Sequence, residues 1–285
     1  MRSVTTRRAQ ALAACAPALL APAPYVAPIA AGTPASHAAP ILRVTPPPTA
    51  VADTGFTRHT LTIDGRPRSY LVRVPARPLR AGANLVLMLH GGGGSAAKLI
   101  GLGRGRAAPY RQWVPIAERE GLVLVAPDGL GNASGTQGWN DCRSDATDVP
   151  TGDDVRFLLA LADTVARRTG ATPGRLLVVG TSNGGMMTLR LAIEAPSRVA
   201  AAAPIVASMP ARSECRAPTV PVPMLLINGT ADPLVPYAGG QVAERFGSRG
   251  SVVSVDSAVA TWRTLAGLCG PPVRERLPSR RETPA

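Results

Sequence analysis

The candidate for covalent chemistry in this chain is a serine flanked by glycines, in Gly180-Thr181-Ser182-Asn183-Gly184. The apolar run Leu176–Val179 leads into it, and the helix-compatible segment Met186–Ala195 follows it. In a strand–turn–helix context, Gly-x-Ser-x-Gly is typical of a nucleophile elbow, in which a Cβ at the glycine positions would collide with neighbouring backbone. We therefore predict that Ser182 is an exposed nucleophile at the carboxyl end of a central strand. The alternative is an ordinary glycine-rich turn.

A second motif has the composition needed to stabilise negative charge. The apolar run 85–89 ends in His90 and four glycines, residues 91–94. Glycine can turn a backbone N–H towards a developing oxyanion without side-chain hindrance, and one such donor is worth about 3–4 kcal/mol in a transition state. We predict an oxyanion hole formed by Gly91 and Gly92 with Asn183, the residue after the nucleophile. The alternatives are a flexible connector and a phosphate cradle, although the run lacks the Gly-Lys-Ser/Thr ending of a phosphate-binding loop.

A carboxylate follows the serine in the chain. The run Val222–Asn228 is predicted to be a strand, and it leads into the loop 229–237, which contains Asp232. Enzymes with the chain order Ser, Asp, His place their acid on such a loop, where it orients the histidine. We predict that Asp232 is this acid. The alternative is an Asx-turn aspartate ahead of Pro233.

Strand and helix patterns alternate along the rest of the chain. A period of two on both sides of Asp64-Gly65 predicts a hairpin, residues 56–63 and 68–74, at an edge of the sheet. Further strands are predicted at 85–90, 122–126, 176–179, 199–206 and 222–228, and helices at 110–120, 153–168, 185–194 and 255–266. This alternation implies right-handed crossovers, and so an α/β fold with a doubly wound, mostly parallel sheet and helices on both faces.

Composition restricts the class of protein. The 285 residues are 45% hydrophobic, which suffices for one sizeable core, and we expect a single domain at 56–285. The net charge of +13 comes from 31 basic and 18 acidic residues. The arginines are scattered and few aromatic residues lie between them, so the sequence argues against nucleic-acid binding.

The first 55 residues have the composition of export and linker sequence. Arg2, Arg7 and Arg8 precede an apolar stretch that prolines interrupt, and small residues near 30–39 suit cleavage. We predict a bacterial-type signal segment at 1–39, a Pro-rich linker at 40–55 and an extracellular product without stable membrane insertion. A twin-arginine signal and lipid anchoring at Cys15 are the weaker alternatives.

Taken together, the motifs resemble those of the secreted polyhydroxybutyrate depolymerase and feruloyl-esterase-like group of α/β-hydrolases, over about residues 60–278. The matching segments occur in the order of that group: Leu89–Gly94, Ala126–Gly129, Gly138–Asp141, Asp153–Val155, Thr181–Met187, Asn228–Asp232 and Val235–Tyr237. The resemblance implies an α/β-hydrolase fold and an extracellular serine esterase that acts, without a cofactor, on polyester or on acylated polysaccharide. It also implies that Trp139, Asn140 and Asp141 bind substrate, the alternative for Trp139 being a buried aromatic beside a turn.

The histidines depart from the pattern of this group. The group carries its catalytic base in a Gly-His-x-Trp-Pro-Gly-like segment beyond the acid, whereas the histidines of this chain, His37, His59 and His90, all precede Ser182. We therefore expect a chain truncated at its C-terminus, with an impaired acyl-enzyme mechanism. The second hypothesis is a catalytically inactive protein that binds polyester or polysaccharide, and a serine peptidase is a weaker third.

The cysteines suggest a disulfide. With Cys15 in the leader, an odd number remains, and our hypothesis is a bond between Cys142 and Cys215 that leaves Cys269 without a partner. No cysteine and histidine have the spacing of metal ligands, so no metal site is predicted.

Overall fold

The computed structural model describes residues 49–50, 54–77, 79, 84–102, 109–147, 149–171, 176–243 and 249–277. The predicted signal segment, and most of the predicted linker, lie outside the described residues. No helix among the described residues has both the length and the apolar character that a membrane crossing requires.

A seven-stranded sheet organises the described chain. Its strands, with those of two small hairpins, are β1 (Thr49–Ala50), β2 (Thr57–Ile63), β3 (Arg66–Arg73), β4 (Leu85–Leu89), β5 (Val123–Pro127), β6 (Leu130–Gly131), β7 (Gln137–Gly138), β8 (Leu176–Thr181), β9 (Val199–Ile205), β10 (Gly240–Gln241) and β11 (Ser251–Val252). The order in the sheet is β1-β2-β3-β5-β4-β8-β9. β5, β4, β8 and β9 run parallel, and β1, β2 and β3 pair antiparallel on one side, so the predicted hairpin is present.

The helices cover both faces of the sheet. They are α1 (Ala96–Leu99), α2 (Trp113–Glu120), α3 (Asp154–Thr169), α4 (Asn183–Glu194) and α5 (Val255–Leu265). Because side chains alternate along a strand, Leu85, Leu87 and Leu89 of β4 pack in one core with residues of α3, α4 and α5. Val86 and Met88 point to the other face and pack with residues of α1 and α2. The predicted doubly wound, mostly parallel α/β fold is therefore confirmed.

The predicted strand 222–228 is the main difference. Residues 223–227 run beside β9 and exchange backbone hydrogen bonds with it, but they form only isolated parallel bridges, Ala202 with Met224 and Ile205 with Ile227. Proline at 221 and 223 removes backbone donors, which prevents a continuous ladder. Leu225 and Ile227 are 59% and 48% exposed.

Residues 267–277 belong to a separate unit from the one that contains the sheet. They contain neither helix nor strand and are exposed.

Candidate active site

Ser182 occupies a strained turn between β8 and α4. Its backbone angles are φ 56° and ψ −124°, a conformation that non-glycine residues rarely adopt and that persists only where surrounding structure enforces it. A Cβ on Gly180 would overlap the backbone of Gly184, and one on Gly184 would overlap the carbonyl groups of Leu89 and His90. The predicted sharp strand-to-helix turn is therefore confirmed, with the glycines where close approach requires them.

The tetraglycine loop lies directly against this turn. A Cβ built on Gly91 would be 3.2 Å from the Thr181 carbonyl oxygen and 3.4 Å from Ser182 Cβ. The N–H of Gly93 donates to the carbonyl of Gln137 over 2.7 Å, and the N–H of Gly94 donates to that of Gly91 over 2.9 Å.

The remaining backbone donors of this region are available to a ligand. Among the described residues, the N–H groups of Gly91, Gly92 and Asn183 have no hydrogen-bond partner. Asn183 is the first residue of α4, so its N–H also lies at the positive end of the helix dipole. These free N–H groups belong to the residues of the predicted oxyanion hole, which stays a prediction.

His90 shapes the glycine loop. Its Nε2 accepts a hydrogen bond from the Gly129 N–H over 2.9 Å, so Nδ1 carries the proton and donates to the Gly91 carbonyl over 2.8 Å. The ring is buried, and this burial lowers its pKa below the usual histidine range. With both nitrogens engaged, His90 is a neutral structural residue and not a base for Ser182.

The other two histidines do not supply a base within the described structure. His59 lies on β2, where it stacks on Tyr70 with ring centroids 5.3 Å apart and shares a hydrogen bond with Thr57. Three strands separate β2 from β8 in the sheet, and at about 4.8 Å per strand spacing this places the two strands about 19 Å apart. His37 lies outside the described residues.

The Asn183 side chain fastens the elbow to the segment that contains Trp139. Its Oδ1 accepts from the Trp139 N–H over 2.8 Å, and its Nδ2 donates to the Trp139 carbonyl over 2.9 Å and to Asp141 Oδ2 over 2.7 Å. The Trp139 ring is fully buried, and its indole N–H donates to the His90 carbonyl over 2.8 Å. Trp139 therefore contacts both segments that carry the free N–H groups: Asn183, and His90 at the start of the glycine loop.

The predicted substrate-binding role of Trp139, Asn140 and Asp141 stays a prediction. None of the three lines the cavity beside Ser182. Trp139 is fully buried, and its hydrogen bonds are directed to backbone and to Asn183, an arrangement that also fits the alternative of a buried aromatic residue.

Asp141 carries a buried ion pair next to a disulfide. The carboxylate accepts two hydrogen bonds from the Arg143 guanidinium, over 2.9 and 2.8 Å. Between these residues, Cys142 is bonded to Cys215, as hypothesised, with their Cα atoms 5.7 Å apart. The expectation of an unpartnered Cys269 is wrong, because Cys269 is disulfide-bonded and its partner lies outside the described residues.

The disulfide lies beside a carboxylate in a group of potential metal ligands. Among the residues that the structure describes, Cys142, Cys215 and Glu194 have ligand atoms within 4.8 Å of one another. Since the two sulfur atoms are joined to each other, they are not thiolates and cannot ligate a metal in this state.

Asp232 forms an Asx turn. Its Oδ1 accepts from the N–H groups of Leu234 and Val235, over 2.7 and 2.9 Å. The turn directs Leu234 and Val235 to the cavity wall, whereas Asp232 itself does not line the cavity. The structural alternative for this aspartate is thus present, and Oδ2 makes no hydrogen bond with the described residues.

The cavity beside Ser182 has a volume of about 240 Å³. Apolar residues, among them Met186, Val235 and Val242, form part of its wall, and Gly92 and Asn183 reach it with Ser182. Sequence reasoning missed the charged residues of this lining, Arg143 and Arg249. Arg143 directly follows the Gly138–Asp141 motif and could have been noticed, whereas nothing in the sequence distinguishes Arg249 from other arginines.

Replacing Asn183 by alanine is expected to lower the free energy of unfolding by about 2–3 kcal/mol, since three hydrogen bonds are lost and Trp139 backbone groups become unsatisfied. Urea denaturation followed by tryptophan fluorescence measures this change. Ser182→Ala is the matched control, because the neighbouring hydroxyl has no hydrogen-bond partner among the described residues. Equal stabilities of the two variants would show that the Asn183 contacts do not hold the elbow.

Comparison with known proteins agrees with this geometry. A family model described as the alpha/beta hydrolase fold matches residues 84–281. The chain is 35% identical over 251 residues to NocK of Nocardia uniformis subsp. tsuyamanensis, which carries an esterase name, covering 84% of this chain and 67% of that protein. It is 31% identical over 196 residues to feruloyl esterase D of Neurospora crassa, covering 66% of this chain and 61% of that protein.

A solved structure shares the fold. The crystal structure of a thermostable esterase superposes with a TM-score of 0.52 at 18% identity, over 76% of this chain and 52% of that chain. The chain therefore spans about half of this structure, and between 61% and 67% of the two relatives named above.

Proposed function

Since the chain belongs to the alpha/beta-hydrolase fold family, we propose that it hydrolyses carboxylic esters through an acyl intermediate on Ser182. The observation that carries the proposal is the strained turn at Ser182, with free backbone N–H groups from the glycine loop and from Asn183 beside the hydroxyl. Strain of this kind is stored at functional sites, and a structural turn has no need of it.

The chemistry follows from these groups. The Ser182 oxygen attacks the ester carbonyl carbon, and the charge that develops on the carbonyl oxygen is held by the N–H groups of Gly92 and Asn183. The serine proton passes to hydroxide from the solvent, because no histidine adjoins Ser182 among the described residues. Collapse of the intermediate expels the alcohol, which takes a proton from water. Attack by hydroxide on the acyl-serine then releases the acid and restores the hydroxyl.

We further propose that the chain is secreted and acts on polyhydroxyalkanoate-type polyester or on acylated polysaccharide. The support is the order of the motifs from Leu89–Gly94 to Val235–Tyr237, and the likeness to a relative named as a feruloyl esterase. The cavity of about 240 Å³ suits a short acyl group or one end of a longer substrate.

A second candidate is a binding protein that retains the fold without catalysis. The absence of a histidine next to Ser182 among the described residues is the observation that favours it. The two candidates differ in one chemical step, the formation of a bond between the acyl group and Ser182.

Mass spectrometry of the intact chain tests that step. After incubation with 4-nitrophenyl butyrate at alkaline pH, the chain is expected to gain the mass of one butanoyl group, and peptide mapping is expected to place it on Ser182. Among the described residues, no histidine is placed to assist deacylation either, so the adduct should accumulate. Ser182→Ala is the control and should remain unlabelled.

Absence of the label, together with binding of polymer, would support the second candidate. A folded wild-type chain that stays unlabelled, but binds polyester particles as well as Ser182→Ala does, would support the binding protein and exclude the esterase for this chain.

A further inference from the structure

The cavity beside Ser182 is positively charged. Two arginines, Arg143 and Arg249, line it, and no lining residue among the described part of the chain is acidic. The Arg143 charge is balanced, because its guanidinium pairs with the buried carboxylate of Asp141. The Arg249 guanidinium has no hydrogen bond and no ion pair within the described structure.

The backbone of Arg249 is held firmly. Its carbonyl accepts a hydrogen bond from Arg143 Nη1, and the residue forms an antiparallel bridge with Ala146. The neighbouring Gly250 carbonyl accepts from the Val242 N–H over 2.9 Å. The backbone of Arg249 is held by hydrogen bonds, whereas its guanidinium charge has no partner. An anion that binds this guanidinium therefore orders little additional backbone, which lowers the entropic cost of binding.

We propose that the ester cleaved at this site carries a carboxylate, which the Arg249 guanidinium binds. The proposal rests on the proposed function, because Ser182 lines the same cavity. Guanidinium groups bind carboxylates through two parallel hydrogen bonds, so the planar fork of arginine suits this anion better than a lysine would. Because Ser182 and Arg249 line the same cavity of about 240 Å³, one small ester that fills it can meet both residues.

The carboxylate could belong to either half of the ester, and two pairs of substrates separate these sources. For the acyl half, the monoester 4-nitrophenyl hydrogen adipate is compared with neutral 4-nitrophenyl hexanoate. For the alcohol half, 4-carboxyphenyl butyrate is compared with phenyl butyrate. The rate constant for acylation of Ser182 is measured with each ester by mass spectrometry.

Arg249→Gln is expected to lower the acylation rate constant for one of the two carboxylate esters by about tenfold to one hundredfold, the effect of losing hydrogen bonds to a charged group. Both neutral esters should change by less than about twofold. Arg249→Lys should recover part of the loss, because it restores the charge without the fork.

The matched control is Arg119→Gln. Arg119 lies on α2 with its side chain 69% exposed, so this variant removes the same charge away from the cavity. Equal effects of the two variants would mean that general electrostatic attraction, and not binding at Arg249, favours anionic esters.

Failure of this inference is distinguishable from failure of the proposed function. If the neutral esters acylate Ser182 but Arg249→Gln leaves all four rate constants unchanged, the carboxylate site is excluded and the esterase stands. If no ester acylates Ser182 in the wild-type chain, the proposed function itself is excluded.

Discussion

Acylation of Ser182 by a 4-nitrophenyl ester is expected to accelerate about tenfold for each pH unit between about pH 6 and about pH 9, without a plateau near the usual histidine pKa of about 6.5. The total change is about one thousandfold. An esterase with a histidine base would instead reach a plateau once that histidine is neutral.

The expectation follows from the groups around the serine. Both ring nitrogens of His90 are held, by the Gly129 N–H and the Gly91 carbonyl, and burial lowers the pKa of the ring below the usual histidine range, so His90 does not reach Ser182 as a base. The charged residues on the described cavity wall are Arg143 and Arg249, whose guanidinium groups donate hydrogen bonds and offer no acceptor for the serine proton. Hydroxide is then the species that removes the serine proton, and its concentration rises tenfold per pH unit.

Two controls make the profile interpretable. Ser182→Ala gives the background of direct hydrolysis, which must be subtracted at each pH. Added imidazole should raise the serine-dependent rate in the wild-type chain, because it can remove the serine proton. A plateau in the subtracted profile would contradict the expectation and indicate an internal base; its loss in His37→Ala would identify that base, since His37 lies outside the described residues.

The parts of the site that could be predicted from the sequence are those specified by neighbouring residues. Gly180 and Gly184 are required by the turn itself, and the glycines after His90 by the close approach of two loops, so local patterns were sufficient. The fold followed from apolar runs such as Leu85–Leu89, which are typical of strands covered on both faces.

The parts of the site that could not be predicted from the sequence depend on contacts between segments far apart in the chain. Asn183 and Trp139 are 44 positions apart, and no periodicity indicates that their amide groups pair. Arg249 reaches the cavity through a bridge to Ala146, and a scattered arginine carries no local signal of that position. The prolines at 221 and 223 are a local signal against a regular strand, because each lacks the backbone N–H that a continuous ladder requires.

Asp154→Ala is expected to lower the free energy of unfolding by about 3–5 kcal/mol, because it leaves a buried cation without its partner. The Asp154 carboxylate is fully buried and meets Arg68 Nη2 at 2.9 Å. Arg68 is itself buried, with its guanidinium carbon 3.9 Å from the centroid of the Phe157 ring. Denaturant unfolding followed by circular dichroism measures the loss.

The adjacent Asp153 provides the matched control. Asp153 caps α3 by accepting a hydrogen bond from the Arg156 N–H over 3.0 Å, and it is exposed. Removal of such a cap costs about 1 kcal/mol. Similar losses in Asp153→Ala and Asp154→Ala would show that the charge of Arg68 is satisfied by other groups.

The buried pair has a second consequence that separates it from an ordinary stabilising contact. Burial raises the pKa of Asp154 and lowers the pKa of Arg68, so desolvation opposes the attraction between the charges. The double variant Arg68→Met/Asp154→Leu should therefore be more stable than Asp154→Ala alone, by about 1 kcal/mol or more.

The same pair links stability to the proposed chemistry. Asp154 Oδ2 accepts from the Asn140 N–H over 2.8 Å, and Asn140 lies between the two residues, Trp139 and Asp141, that hold the Asn183 side chain. Asp154→Ala should therefore slow acylation of Ser182 even at temperatures where the variant is folded, whereas Asp153→Ala should not. An Asp154→Ala chain that is destabilised yet acylates at the wild-type rate would show that the segment at Trp139 keeps its place without this ion pair.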